Sequence, residues 1–272
     1  MSLETELLAL AVDIACEAGQ LAHRRRSEGV AIAATKSALA DIVTDADNEV
    51  EELIRARLAE ERPEDGFLGE ESGAEGGESG ITWVVDPIDG TVNYAFGIPL
   101  YAVSIAAVSG EPDPEHWTAL AGAVFAPALS EMFTATRGGG AHLGRERLAV
   151  HEPSGGVGAL LATGFGYDPA THPGDLARLA RVMPLARDIR RMGSAAIDLS
   201  YVAAGRLDGY FERGINPWDH AAAGLIVQEA GGRIGGPGGR APSPTMTIAA
   251  APQLFAAIER ALEADSGHDR VG

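Results

Sequence analysis

The chain has 272 residues, with 39 acidic against 21 basic side chains and a formal net charge of −18. A surface this negative repels phosphodiester backbones and anionic lipid, which excludes nucleic-acid binding through a basic face. With 46% hydrophobic and 22% charged residues, the composition is that of a folded protein, long enough to bury a sizeable core as one large domain or two subdomains.

Leu7, Ala11, Ile14, Ala18 and Leu21 recur at helical spacing and predict an amphipathic helix over 3–26. Ser2 caps it, Glu4 and Glu6 suit its positive end, and Arg24, Arg25 and Arg26 suit its negative end. The same segment lacks a basic n-region, and its acids break the apolar run, so it does not read as a signal peptide. No apolar run reaches the length of a membrane span, which takes about 20 residues. The single cysteine, Cys16, excludes an internal disulfide, and a cytoplasmic protein is expected. A second helix is predicted over 45–58, with Val50, Leu53, Ile54 and Leu58 on one face. The many acids between Asp41 and Glu71 read as a solvated helix face. Residues 72–80, SGAEGGESG, read as a mobile polar loop.

From Thr82 the texture changes to β-type runs, TWVVD, YAVSIAAVS, ALAGAVFA and EMFTAT, divided by turns such as EPDP at 111–114. Residues 138–147 read as a glycine-rich loop. Then come a strand LLATG, helices around 173–183 and 194–205, a strand LDGYFE, a helix over 217–230 stopped by Gly231-Gly232, a strand MTIAAA and a closing helix near 252–264. The fold class is α/β, with an α+β first half and an alternating α/β second half packed as layers.

Chemistry concentrates in Trp83-Val84-Val85-Asp86-Pro87-Ile88-Asp89-Gly90-Thr91. A buried strand ends in an acid, Pro87 fixes a bend, and Asp89 follows three residues after Asp86. Two carboxylates and the Ile88 carbonyl suit a hard cation such as Mg²⁺; equally, Asp-Pro and Asp-Gly suit a plain β-turn with an Asx cap. Gly90-Thr91 opens a helix or tight turn whose backbone N–H groups suit phosphate oxygens. Glu70 and Glu71 follow a short apolar stretch that reads as a strand edge entering the sheet, or else they are surface residues. Asp47 belongs to a stretch, Asp41 to Asp47, that opens the second helix or is simply its cap. Asp219 lies in the first turn of the 217–230 helix, behind Pro217, as a helix-end charge or as a ligand, with His220 beside it.

Taken together, Glu70, the Asp86-Pro-Ile-Asp89-Gly-Thr91 motif, and Trp218-Asp219 followed by Glu-Ala-Gly-Gly resemble the inositol monophosphatase family of Mg²⁺-dependent phosphatases. The resemblance spans roughly residues 36–235 in the family's order, and takes in Lys36, Ile189 to Ala196 and Tyr210-Phe211-Glu212. Thr91-Val92-Asn93-Tyr94 looks like the inositol monophosphatase branch, and TGFGY at 163–167 with RDIRRMGSAA looks like its bacterial SuhB type, actinobacterial in particular.

That resemblance implies an αβαβα sandwich, a homodimer, and hydrolysis of inositol 1-phosphate without a phosphoenzyme. It implies that Glu70, Asp86, the Ile88 carbonyl, Asp89 and Asp219 bind two or three Mg²⁺, and that Gly90 and Thr91 hold the phosphate. Glu70 and Thr91 would orient water, with Asp47 bonded to the Thr91 hydroxyl. Gly193, Ser194, Ala195 and Glu212, with Asp89 and Asp219, would meet the hydroxyls of the substrate. Lithium inhibition is a family trait. Residues 1–147 would carry most ligands and 148–272 Asp219 and the substrate contacts, as one structural unit. Other phosphate monoesters, such as fructose 1,6-bisphosphate, histidinol phosphate or nucleotide monophosphates, suit the same chemistry. A non-catalytic scaffold would have lost ligands, and every matched ligand is intact. The Gly-rich 72–80 loop, His220 and Asn216-Pro217 depart from the family's pattern.

Overall fold

A computed structural model describes residues 2–29, 32–35, 42–153 and 158–263 of the chain. Lys36, which belongs to the resemblance, and Asp41, at the start of the stretch that leads into the second helix, lie outside the described residues.

The first layer holds α1 (Leu3–Glu28) and α2 (Asp45–Glu61). As expected, the Ser2 hydroxyl accepts from the Thr5 N–H at the start of α1. Leu7, Ala11, Ile14 and Ala18 of α1 and Val50 and Ile54 of α2 are buried in a shared apolar cluster with one face of the main sheet. A short antiparallel pair, β1 (Ile32–Thr35) and β2 (Ile42–Thr44), precedes α2.

The main sheet has eight strands: β3 (Gly66–Gly69), β4 (Gly73–Glu75), β5 (Ile81–Asp89), β6 (Ala102–Ser109), β7 (Thr118–Ala126), β8 (Glu131–Thr136), β9 (Gly140–Leu143) and β10 (Glu146–Arg147), in the order β10-β9-β8-β7-β6-β5-β3-β4. Two expectations are corrected here. The Gly-rich 72–80 stretch folds back as β4 against β3, and the N–H groups of Glu78 and Ser79 bond the Glu64 carbonyl. The 138–147 stretch is the β9–β10 hairpin. In both, glycine supplies the turn and backbone pairing supplies the order.

A second sheet of five strands, β11 (Ala159–Thr163), β12 (Ala186–Arg190), β13 (Gly209–Glu212), β14 (Arg233–Gly235) and β15 (Thr247–Ala250), runs in the order β12-β11-β13-β15-β14. Between the sheets lie α5 (Ala195–Ala203) and α6 (Pro217–Glu229), and α4 (His172–Val182) and α7 (Pro252–Glu263) cover the far face. The layers are therefore α, β, α, β, α. A six-residue helix, α3 (Thr91–Phe96), follows β5.

Small side chains seat α6 in this central layer. Ala221, Ala222, Ala223 and Gly224 are buried, and the helix approaches β7 so closely that a Cβ on Gly122 would lie 2.9 Å from the Ala222 carbonyl oxygen. That contact fixes the depth of the helix whose first turn carries Asp219.

Candidate active site

The site forms where β3, β5 and three helix N-termini converge. β3 pairs in parallel with β5, placing Gly69 beside Val85 and so Glu70 next to Asp86. On its other side β5 pairs with β6, Asp86 opposite Ser104 and Asp89 opposite Ala102, so the register slips by one residue at Pro87-Ile88. The strand does not end at Asp86, as expected. It bulges there, where Pro87 has no N–H to lend to the ladder, and continues to Asp89. Carboxylate oxygens of Asp86, Asp89 and Asp219 lie within 4.8 Å of one another. Glu70 stands outside that group of three but lines the same cleft, about 630 Å³ in volume, with Asp89, Gly90, Glu212 and Asp219.

Each acid is held by a specific backbone donor. Asp86 Oδ1 accepts from the Ile88 N–H at 3.0 Å. Asp89 faces the N-terminus of α5, accepting from Ala196 N at 2.7 Å, from Ala195 N at 3.3 Å and from the Ser194 hydroxyl. Asp219 Oδ2 accepts from Asn216 N at 2.5 Å, closing the first turn of α6. Asp47 Oδ2 caps α2 through Thr44 N at 2.8 Å, while its Oδ1 takes the Thr91 hydroxyl at 3.1 Å, which also reaches the Ile88 carbonyl at 3.0 Å. At Gly90 the backbone is left-handed, φ 94°, and a Cβ there would sit 3.0 Å from the Leu100 carbonyl oxygen and 3.1 Å from that of Gly193. Only glycine turns the chain from β5 into α3 in that space.

Burial and mutual repulsion raise these acids. Asp86 is pushed well above the usual carboxylate range, first by desolvation and then by the charges of Glu70, Asp89 and Asp219; Asp219 is raised likewise by desolvation and by the charges of Asp89 and Glu70, against the pull of its bonds to Asn216 and Asp86. Desolvation lifts Asp89 to about 6 against the pull of its bonds to Ser194, Ala196 and Ala195. Asp47, also desolvated, rises to about 6. Glu212 rises to about 7, again by burial, and accepts from the Tyr210 hydroxyl at 2.7 Å. Among the described residues none of Asp86, Asp89 and Asp219 forms an ion pair. An all-oxygen set of closely spaced, largely desolvated carboxylates is the donor chemistry of a hard divalent cation, and the residues fit one.

Of the residues expected to meet substrate, Gly193, Ser194, Ala195, Glu212 and Asp219 border the cleft. The Ser194 hydroxyl and the Ala195 N–H, on this border, both donate to Asp89. His220 borders a different cleft, with Trp117 and Arg240, and burial lowers it to about 4, leaving a neutral ring. Sequence reasoning missed Arg191, Arg213 and Tyr167 on the rim. It also missed Glu51, a buried acid of α2 that grips the turn after Glu70; its position one helical turn after Asp47 was the available signal.

The sequence model of the Inositol monophosphatase family matches residues 3–266. The chain is 42% identical to the Mycobacterium tuberculosis inositol-1-monophosphatase SuhB, over 93% of each chain. It superposes on the extragenic suppressor protein suhB of Bartonella henselae with a TM-score of 0.87 and 36% identity, covering 96% of this chain and 99% of that one. It superposes on an inositol monophosphatase from Anabaena with a TM-score of 0.82 and 31% identity, covering 95% of each. With its layered fold, its cluster of three aspartates and a match along nearly its whole length, this chain belongs to the inositol monophosphatase family.

Proposed function

We propose that the protein hydrolyses inositol 1-phosphate to myo-inositol and inorganic phosphate, with Mg²⁺ held by Glu70, Asp86, the Ile88 carbonyl, Asp89 and Asp219. The observation that carries this reading is the convergence of three aspartates within 4.8 Å, Asp86 and Asp89 buried and Asp219 half-buried, with Asp89 and Asp219 lining a polar cleft. When bound, such cations supply positive charge against the phosphate and make water more acidic. The chain's own residues do the rest. Backbone N–H groups of Gly90 and Thr91 bind phosphate oxygens at the sharp turn after Asp89. The Thr91 hydroxyl, its hydrogen directed to Asp47 or the Ile88 carbonyl, accepts from the attacking water, and Glu70 orients that water from the opposite strand. Gly193, Ser194, Ala195 and Glu212 line the place for the inositol ring, where a carboxylate accepts hydrogen bonds from neighbouring hydroxyls. The Ser194 and Thr91 hydroxyls are committed to Asp89 and Asp47, which supports direct attack by water without a phosphoenzyme.

Two or three Mg²⁺ per site, inhibition by Li⁺, a homodimer and a cytoplasmic location complete the proposal. Among the described residues no helix is long and apolar enough to cross a membrane. Residues 1–147 supply most of the ligands and 148–272 supply Asp219 and the ring-facing groups. Arg191 and Arg213 on the cleft rim favour a second reading, the same chemistry on fructose 1,6-bisphosphate, whose second phosphate they would meet. Phosphate release from inositol 1-phosphate, fructose 1,6-bisphosphate, histidinol phosphate and nucleotide monophosphates, with and without Mg²⁺ and Li⁺, tests both. Inositol 1-phosphate is the preferred substrate; a hundredfold faster turnover of fructose 1,6-bisphosphate overturns that choice.

A further inference from the structure

Glu51 is 3% exposed, yet it lies on a helix whose acids, Asp47 apart, otherwise reach solvent. Both its carboxylate oxygens are engaged: Oε2 accepts from the Glu71 N–H at 2.9 Å and Oε1 from the Ser72 N–H at 2.7 Å. The preceding N–H, that of Glu70, donates to the Val85 carbonyl at 3.2 Å, one residue before Asp86. Glu70 is thus clamped between β5 and α2. One helical turn earlier on the same face of α2, Asp47 takes the Thr91 hydroxyl. Gly69 leaves room for the grip, since a Cβ there would lie 2.6 Å from Glu51 Oε2 and 2.7 Å from Glu51 Cδ.

We propose that Glu51 is a positioning residue that, with Asp47, makes α2 the frame fixing Glu70 relative to Thr91, the two groups assigned to the attacking water. This rests on the phosphatase reading above. A carboxylate with two bound amides resists displacement because freeing it leaves a buried, unpaired charge.

Glu51→Gln keeps the size but sets an NH₂ against one of the two N–H donors. The expected results are at least tenfold faster amide hydrogen exchange at Glu71 and Ser72, a tenfold or greater fall in kcat on inositol 1-phosphate, KM within threefold, and Mn²⁺ affinity reduced several-fold by direct titration. Glu52→Gln, on the exposed side of α2, changes none of these. Gly69→Ala pushes Glu51 aside without removing it and gives the same pattern; combined with Glu51→Gln it adds less than the product of the two effects. Unchanged exchange at Glu71 and Ser72 in folded Glu51→Gln overturns the clamp. Faster exchange with kcat and Mn²⁺ affinity within twofold of wild type overturns the positioning role. Absence of phosphate release by wild type, with the exchange effect intact, strikes the phosphatase reading and leaves the clamp standing.

Discussion

Asp47→Asn is the sharpest perturbation of the water-orienting pair, because it changes hydrogen-bond polarity in a fully buried place without leaving a cavity. The aspartate uses Oδ2 for Thr44, whose N–H is 2.8 Å and hydroxyl 2.5 Å away, and Oδ1 for the Thr91 hydroxyl at 3.1 Å. Asparagine has one accepting oxygen. Keeping it on Thr44 preserves the cap and turns the NH₂ onto Thr91, whose hydrogen then goes to the Ile88 carbonyl alone, 3.0 Å away. A hydrogen bond to a charged acceptor contributes about 1.5–3 kcal/mol. If that loss falls on the transition state, kcat drops about 10- to 150-fold, at 1.36 kcal/mol per decade. KM for inositol 1-phosphate stays near wild type, because Asp47 does not line the cleft. Steady-state phosphate release at pH 8 and saturating Mg²⁺ measures this, above the value of about 6 to which burial raises the aspartate. A folded Asp47→Asn protein with kcat within twofold of wild type refutes the reasoning.

Three further outcomes are expected. Asp89→Asn loses nearly all turnover while keeping its far-ultraviolet circular dichroism; retained activity removes Asp89 from the ligand set. Without divalent cation, stability falls as pH rises from about 4 to about 7. The raised acids, Asp47 and Asp89 at about 6 and Glu212 at about 7, hold more protons folded than unfolded in that window, whereas His220, lowered to about 4, acts in the opposite direction, as do the lowered surface acids Glu4, Glu49, Asp113 and Asp188, whose solvent-screened effect is confined to the acid end. Excess Mg²⁺ flattens the fall, and thermal midpoints across pH with and without the ion report it; a rising midpoint in chelator contradicts the assignment. Gly122→Ala forces β7 and α6 apart, costing about 1–3 kcal/mol, which calorimetry reads as a midpoint lowered by roughly 2–12 °C at about 2–4 °C per kcal/mol.

The long periodic elements were legible in the sequence: α1, α2, α6 and the apolar strands β5 to β8 stand where their patterns put them. Short pieces were not. β12 is ARDIR, largely exposed and charged, and it exists because β11 offers it a parallel partner. β4 and the β9–β10 hairpin hide in glycine-rich stretches whose order comes from backbone pairing. At the site, the motifs located Asp47, Asp86, Asp89 and Asp219, but cap and ligand were set against each other as alternatives. The structure removes the conflict, because a carboxylate has two oxygens: Asp47 closes α2 with one and holds Thr91 with the other, and Asp219 closes α6 while standing beside Asp86 and Asp89. Glu51 was lost for a different reason. In a run of acids, only the position after Val50 and one turn beyond Asp47 distinguishes a buried carboxylate from a solvated one.

The three aspartates are proposed as a cation centre that serves phosphate-ester hydrolysis. Phosphate release from inositol 1-phosphate by chelator-treated protein, before and after Mg²⁺ is returned, tests it most directly. The expected result is release no faster than the blank in chelator and full recovery with Mg²⁺; release that continues unchanged in chelator contradicts it.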